Sequence, residues 1–147
     1  MKPNILFLFA DQHRHDILGC AGHPLVQTPN IDAIASEGVH FTKTWCQSPI
    51  CQPSRASVIT GRYAHEIGVT HNTGGFDPEW PTVMKQLQVA GYDTATIGKT
   101  HYHESYQPPK ADGEIDMRSK EGFVKSFGWD YVLEEYDKYL HAARRLT

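Results

Sequence analysis

Three short stretches of this chain combine residues that can bind anions, hold a hard metal ion or move protons. The longest starts at Cys51, Gln52, Pro53, Ser54 and Arg55, runs on to Arg62, and spells C-x-P-S-R-A-S-x-x-T-G-R. Pro53 suits the first turn of a helix, where a missing N–H costs nothing. Ala56, Ser57, Val58, Ile59 and Thr60 can continue that helix, and Gly61 can end it. Cys51 then stands at the helix N-terminus, where open N–H groups and the helix dipole favour sulfate or phosphate oxygens. Arg55 follows about one turn on, within reach of residue 51. The second stretch is Asp11-Gln12-His13-Arg14, directly after an apolar run. Its carboxylate and amide carbonyl are hard oxygen donors suited to Ca²⁺ or Mg²⁺, although a lone Asp in such a place is more often a turn cap. The third is Gly98-Lys99-Thr100-His101. Lys99 offers a point charge to an oxyanion, and His101 can give or take a proton near neutral pH. On an extended stretch, residues two apart share a face, so both are predicted to point into one pocket.

These residues need a scaffold that sets them side by side. Asn4 to Ala10 (NILFLFA) is a continuous apolar run that predicts a central strand of a parallel sheet. Asp11 would follow the carboxyl end of that strand, where ligands bind in open α/β sheets. Thr28-Pro29 with Ile31, Ile34 and Ala35 predicts a capped amphipathic helix ended by Gly38. Val39 to Trp45 is the next expected strand, and the helix after Cys51 follows. Trp80-Pro81-Thr82 opens a further helix, with Val83, Leu87 and Ala90 on one face and Gly91 as its stop. Tyr92 to Ile97 and residues 127–133 predict short strands, and Glu134 to Leu146 a terminal helix. The polar segment from His101 to about Lys120, with Pro108-Pro109 and Asp112-Gly113, predicts a long surface loop. This rhythm predicts an α/β fold with a mostly parallel sheet sandwiched by helices.

Bulk properties narrow the function classes. At 147 residues one domain is the default, and 39% hydrophobic with 21% charged residues fits a globular chain. The net charge is −3 and no basic run occurs, so nucleic acid binding has no electrostatic footprint. Cys20, Cys46 and Cys51 are odd in number and lack CxxC spacing, which argues against a disulfide framework or a zinc site. Cys20 and Cys46 are expected to be reduced packing residues. The run from Ile5 to Ala10 is short for a signal sequence and ends at Asp11, and no stretch is long enough to span a membrane. A cytoplasmic protein is expected. Of the histidines, His13, His15, His23, His40, His65 and His141 read as surface or satisfied polar groups. Trp80, Tyr102 and Tyr106 could stack on a sugar or aryl group, or simply pack.

With D-Q-x-R, C-x-P-S-R-A-S-x-x-T-G and G-K-x-H in that order, the chain resembles the type I sulfatases of the alkaline phosphatase superfamily. The resemblance implies an alkaline-phosphatase-like fold and a sulfuric ester hydrolase. It implies that Cys51 is oxidised to formylglycine by a formylglycine-generating enzyme. It implies metal ligation of Ca²⁺ or Mg²⁺ by Asp11, Gln12 and residue 51, and catalytic roles for Cys51, Arg55, Lys99 and His101. Lys99, His101 and Asn72 would contact a small-molecule sulfate ester, and His71 and His103 lie near family site segments. In the implied mechanism the hydrated aldehyde attacks sulfur, Arg55 holds the diol, Lys99 stabilises the transferring group, and His101 takes the proton that releases sulfate. Gln12 stands where most sulfatases carry a second Asp, a pattern similar to choline sulfatases and phosphonate monoester hydrolases. A phosphonate or phosphodiester hydrolase is therefore the alternative within the superfamily. Complete sulfatases are longer, and further metal ligands and a C-terminal subdomain come from later segments. Residues 1–147 are thus expected to be the N-terminal portion of a catalytic domain, incomplete at the C-terminus. Alone, it would turn over poorly or act as an inactive fragment, with exposed apolar surface open to self-association.

Overall fold

The computed structural model describes residues 2–73, 75–103 and 117–134, with side chains of the last segment from 121 onward. Its contacts divide the chain into two units, Met1–Trp45 and Cys46–Thr147.

The first unit holds a three-residue 3₁₀ turn, Gly19–Ala21, and helix α1, Pro29–Glu37. Pro29 sits at the start of α1 as expected, and the amide of Gly38 closes the helix on the Ile34 carbonyl. Thr28 precedes the helix but its side chain makes no cap bond. Its hydroxyl instead accepts from the Gly19 amide at 2.9 Å and donates to Asp32 at 2.7 Å. Asp32 also accepts from the Cys20 amide at 2.8 Å, so this pair ties the 3₁₀ turn to α1. The Thr28 hydroxyl and these neighbouring donors hold the Asp32 carboxyl below its ordinary range.

The two strands expected at residues 4–10 and 39–45 are not formed. An extended run becomes a strand only when a neighbour takes its backbone groups, and no described strand pairs with either segment. The apolar side chains stay outside: Leu6, Leu8, Val39, Phe41 and Trp45 are each 74–83% exposed. Phe7 and Phe9 stack on each other with ring centroids 5.5 Å apart. Ile31 and Ile34 of α1 are exposed too, so the amphipathic face lacks a core to cover within this unit.

The second unit follows an α–α–β–α–β order. Helix α2 spans Cys51–Thr60, α3 Val83–Val89, β1 Ala95–Gly98, α4 Met117–Lys125 and β2 Tyr131–Glu134. The strands pair in parallel, Ala95 with Tyr131 through Gly98 with Glu134, with α4 in the connection between them. This is the parallel pairing that the sequence rhythm predicts. Helix α4 occupies part of the segment expected to be loop. Residues 104–116 and the expected terminal helix from 135 onward lie outside the described residues, and Glu134 itself ends β2.

Strand boundaries differ from expectation for a local reason. Asp130 accepts from the Thr94 amide at 2.8 Å, the Thr94 hydroxyl at 2.9 Å and the Gln88 side chain at 2.7 Å. The Thr94 amide is thereby spent on a side chain, and β1 begins one residue later. The Thr94 backbone and hydroxyl hold the Asp130 carboxyl below the usual carboxylate range. Residues 126–128 form a turn, so β2 starts at Tyr131.

The core of this unit is an aromatic cluster between α3, α4 and the strands. Phe127 is fully buried, with ring centroids 4.4 Å from Phe76, 5.0 Å from Tyr102 and 5.2 Å from Phe123. Met84, Val124, Val132, Ala56, Ile59, Ile67 and Val69 extend it. Tyr102 is therefore a core residue, and burial pushes its phenol upward in pKa. Helix α3 turns Met84 and Leu87 inward and leaves Val83 exposed, not the Val83–Leu87–Ala90 face that spacing suggests. Thr82 sets this rotation. Its hydroxyl accepts from the Lys85 amide as an N-cap and donates to the Phe127 carbonyl at 2.5 Å.

Gly128 makes the turn into β2 possible. Its φ is +99°, and a Cβ built there would lie 2.7 Å from the Lys85 amide nitrogen, a backbone atom that cannot swing away. Gly128→Ala is expected to cost about 1–3 kcal/mol, read as a lower urea midpoint at unchanged slope. An unchanged midpoint would show that α3 does not pack this closely on the turn.

Candidate active site

Helix α2 starts at Cys51 as the sequence predicts, and Gly61 ends it in the left-handed region with φ +66° and its amide on the Ser57 carbonyl. Its N-cap residue is Ile50, which has no polar side chain to offer. Asn72 takes that role from the following loop, and its Oδ1 accepts from the Gln52 amide at 2.9 Å. Pro53 has no amide donor, and the Ser54 amide goes to the Ile50 carbonyl. The expected row of open N–H groups is therefore largely occupied. What the helix offers an anion next to half-buried Cys51 is chiefly its dipole.

Two side chains of α2 hold the segment that follows β1. Arg55, 7% exposed, donates through Nη1 to the Lys99 carbonyl. Gln52, fully buried, donates from Nε2 to the His103 carbonyl at 3.1 Å. Arg55 thus reaches the Lys99 segment from the helix that Cys51 opens. From the other side, the Phe76 amide donates to the Tyr102 carbonyl at 3.4 Å. The end of β2 supplies the last anchor, as Glu134 Oε1 accepts from the Thr100 amide at 3.0 Å.

Residues 99–103 are therefore a loop whose backbone is pinned by α2, β2 and the loop after Asn72. The idea that Lys99 and His101 share a face by strand alternation does not survive. β1 stops at Gly98, and His101 has φ +58°. Beyond Gly98 the backbone groups turn to side-chain partners, so the period of two ends there. His101 is 7% exposed and Lys99 is half-buried. Among the described residues, Gln12 and His101 are the non-glycine positions with positive φ, at 55° and 58°. Such backbone is costly for a side-chain-bearing residue and collects at functional sites.

The structure thus brings Cys51, Arg55, Asn72, Lys99, His101 and His103 into one region of the second unit. Asp11 and Gln12 belong to the first unit, and both are exposed there. Their oxygens fit Ca²⁺ or Mg²⁺ by donor chemistry, but they are only part of the six to eight donors that Ca²⁺ takes. Among the described residues no group of three or more His, Cys, Asp or Glu stands ready for a metal. His71 is exposed, Trp80 carries the Arg62 guanidinium 5.3 Å above its ring, and Tyr106 lies outside the described residues. Cys20 is half-buried, but Cys46 is exposed and does not pack as expected, because the chain around it forms no strand.

Sequence reasoning missed Gln52 and Glu134. Gln52 sat in the central string as an unassigned position. Glu134 has no motif at all, since its role comes from register: it pairs with Gly98, and its side chain reaches two residues further along to Thr100. It is 2% exposed, and burial holds its carboxyl above the ordinary range despite the bonds from Thr100 and the nearby His103.

Residues 3–142 match the Sulfatase family. The chain is 44% identical over 100 residues to an N-acetylglucosamine-6-O-sulfatase of Bacteroides thetaiotaomicron, covering 68% of this chain and 18% of that protein. A solved structure in complex with its substrate D-glucosamine-2-N,6-O-disulfate superposes with TM-score 0.68 and 31% identity, over 92% of this chain and 34% of the other. The phosphonate monoester hydrolase of Agrobacterium radiobacter superposes with TM-score 0.68 and 26% identity, over 93% of this chain and 27% of the other. The chain spans 18–34% of the length of these relatives, and its fold is part of their alkaline-phosphatase-like α/β fold. With a family match over nearly its whole length and a pinned loop facing the helix that Cys51 opens, the chain belongs to the sulfatase family.

Proposed function

We propose that the protein hydrolyses a sulfate monoester through residue 51 after its oxidation to formylglycine. The observation that carries this reading is the double anchor from α2, Arg55 to the Lys99 carbonyl and Gln52 to the His103 carbonyl. It places the loop of Lys99 and His101 against the helix that begins at residue 51. Oxidised, residue 51 would supply a hydrated aldehyde, one hydroxyl to attack sulfur and another to release it. A Ca²⁺ or Mg²⁺ ion held in part by Asp11, Gln12 and residue 51 would screen the sulfate charge.

The chain's own residues divide the remaining work. Arg55 orients the Lys99 segment from beneath. Lys99 places a positive charge beside the transferring group. His101 moves the proton that its buried, strained position keeps away from bulk water. Asn72 fixes the start of α2 and contacts substrate through its amide. Relatives named for sulfated amino sugars make a sulfated amino sugar the first substrate to try. Maturation by a formylglycine-generating enzyme, self-association through the exposed apolar run and a reducing, cytoplasmic location belong to the same proposal. Three free cysteines support the last of these.

A second reading has its own support. Gln12 and the likeness to a phosphonate monoester hydrolase favour phosphonate or phosphodiester turnover by the same nucleophile. Comparing an aryl sulfate with an aryl phosphonate separates the two. The test of both is mass spectrometry of the tryptic peptide Thr44 to Arg55 after expression with a formylglycine-generating enzyme. Aldehyde in place of thiol at residue 51, with Cys46 in the same peptide unchanged, is the expected result. An intact Cys51 beside a converted control sulfatase would leave the inactive-fragment reading in its place.

A further inference from the structure

We propose that Glu134 is a positioning residue for the site, the one that sets where the loop from Lys99 to His103 leaves the sheet. The inference deepens the sulfate-ester reading and rests on it for its catalytic consequence.

The argument starts from register. Gly98 and Glu134 are the last described pair of β1 and β2. Past Gly98 the Thr100 amide would look for the next rung of the ladder. It finds a side chain instead, Glu134 Oε1 at 3.0 Å, and the backbone then turns through the positive φ of His101. The same oxygen lies 3.9 Å from His103 Nε2. His103 is held from the opposite side by Gln52 at its carbonyl, so one carboxyl and one helix side chain bracket the loop.

The second argument is cost. A carboxyl 2% exposed is an expensive way to fill space, because burial penalises its charge. An apolar side chain would pack at this place without that penalty. It could not accept the Thr100 amide, which would leave a buried donor unmet at the base of the loop. The residue that is costly for the fold is the one that fixes the path of Lys99 and His101.

The experiment compares the full chain with Glu134→Ala and Glu134→Gln. Hydrogen exchange is read at the Thr100 amide and, as an internal control, at the Thr94 amide, which Asp130 holds independently. Affinity for inorganic sulfate is read by calorimetry. In Glu134→Ala, exchange at Thr100 is expected to rise about ten-fold or more and sulfate affinity to fall about ten-fold, with Thr94 unchanged. Glu134→Gln keeps an oxygen acceptor and is expected to restore both to within about three-fold. Equal exchange at Thr100 in all three proteins would overturn the tether. So would a rise at Thr94 as large as at Thr100, which marks general support of the fold. Unchanged sulfate affinity with a loosened Thr100 would overturn the link to the site. If the alanine variant does not fold, Glu134→Gln decides through the Thr100 amide: exchange there rising about ten-fold or more, with Thr94 unchanged, would show that an oxygen acceptor at this position is not the tether. Absence of sulfate binding by the unaltered chain would strike the sulfatase reading, whereas the exchange pattern would still decide the tether.

Discussion

On the proposed function, replacing Cys51 with alanine is expected to lower sulfate-ester turnover by at least about three orders of magnitude, because the proposed covalent route loses its reacting atom. The fold should hardly notice. Cys51 is half-buried at the first position of α2, and its thiol is free. Alanine is the best helix former, and the Asn72 bond goes to the amide of residue 52. Cys51→Ala should therefore unfold at the same urea concentration as the unaltered protein. Initial rates on an aryl sulfate, after coexpression with the maturation enzyme, make the measurement. A loss of less than about ten-fold would mean that residue 51 does not carry the chemistry, since removing a covalent nucleophile costs far more.

The largest effect on stability is expected at Phe127. Phe127→Ala removes a fully buried ring that touches Phe76, Tyr102 and Phe123. The loss should be about 3–5 kcal/mol, combining lost transfer energy with the cavity left behind. Its reach extends to the site, because Tyr102 packs on this ring and lies between His101 and His103. Trp129 and Trp80, both packed against the core, report unfolding by fluorescence. Phe41→Ala is the control. Phe41 is 76% exposed, so its removal should change stability by no more than about 0.5 kcal/mol. Similar losses for the two variants would show that the aromatic cluster is not the core.

Within the sequence, local chemistry was the legible part. Pro53 and Gly61 bracket α2, and Pro29 and Gly38 bracket α1, as backbone preferences require. The central string with Lys99 and His101 named the family, because reactive groups at fixed spacing are rarely kept by packing alone. The parallel β1–β2 pair also followed from the rhythm of the elements. These properties depend on neighbours in sequence, so a linear reading can recover them.

Tertiary structure alone decided what depends on partners. The apolar runs at 4–10 and 39–45 have strand composition but no described strand to bond, so they form no strand and stay exposed. Tyr102 looked able to stack on a ligand, and three-dimensional packing made it core. Lys99 and His101 are directed by Arg55, Gln52 and Glu134, which act across sequence separations of 44, 51 and 34 residues. No periodicity encodes such bonds. They exist only once α2, β1 and β2 are folded against each other, since a buried amide or carbonyl must take whatever partner the fold brings to it.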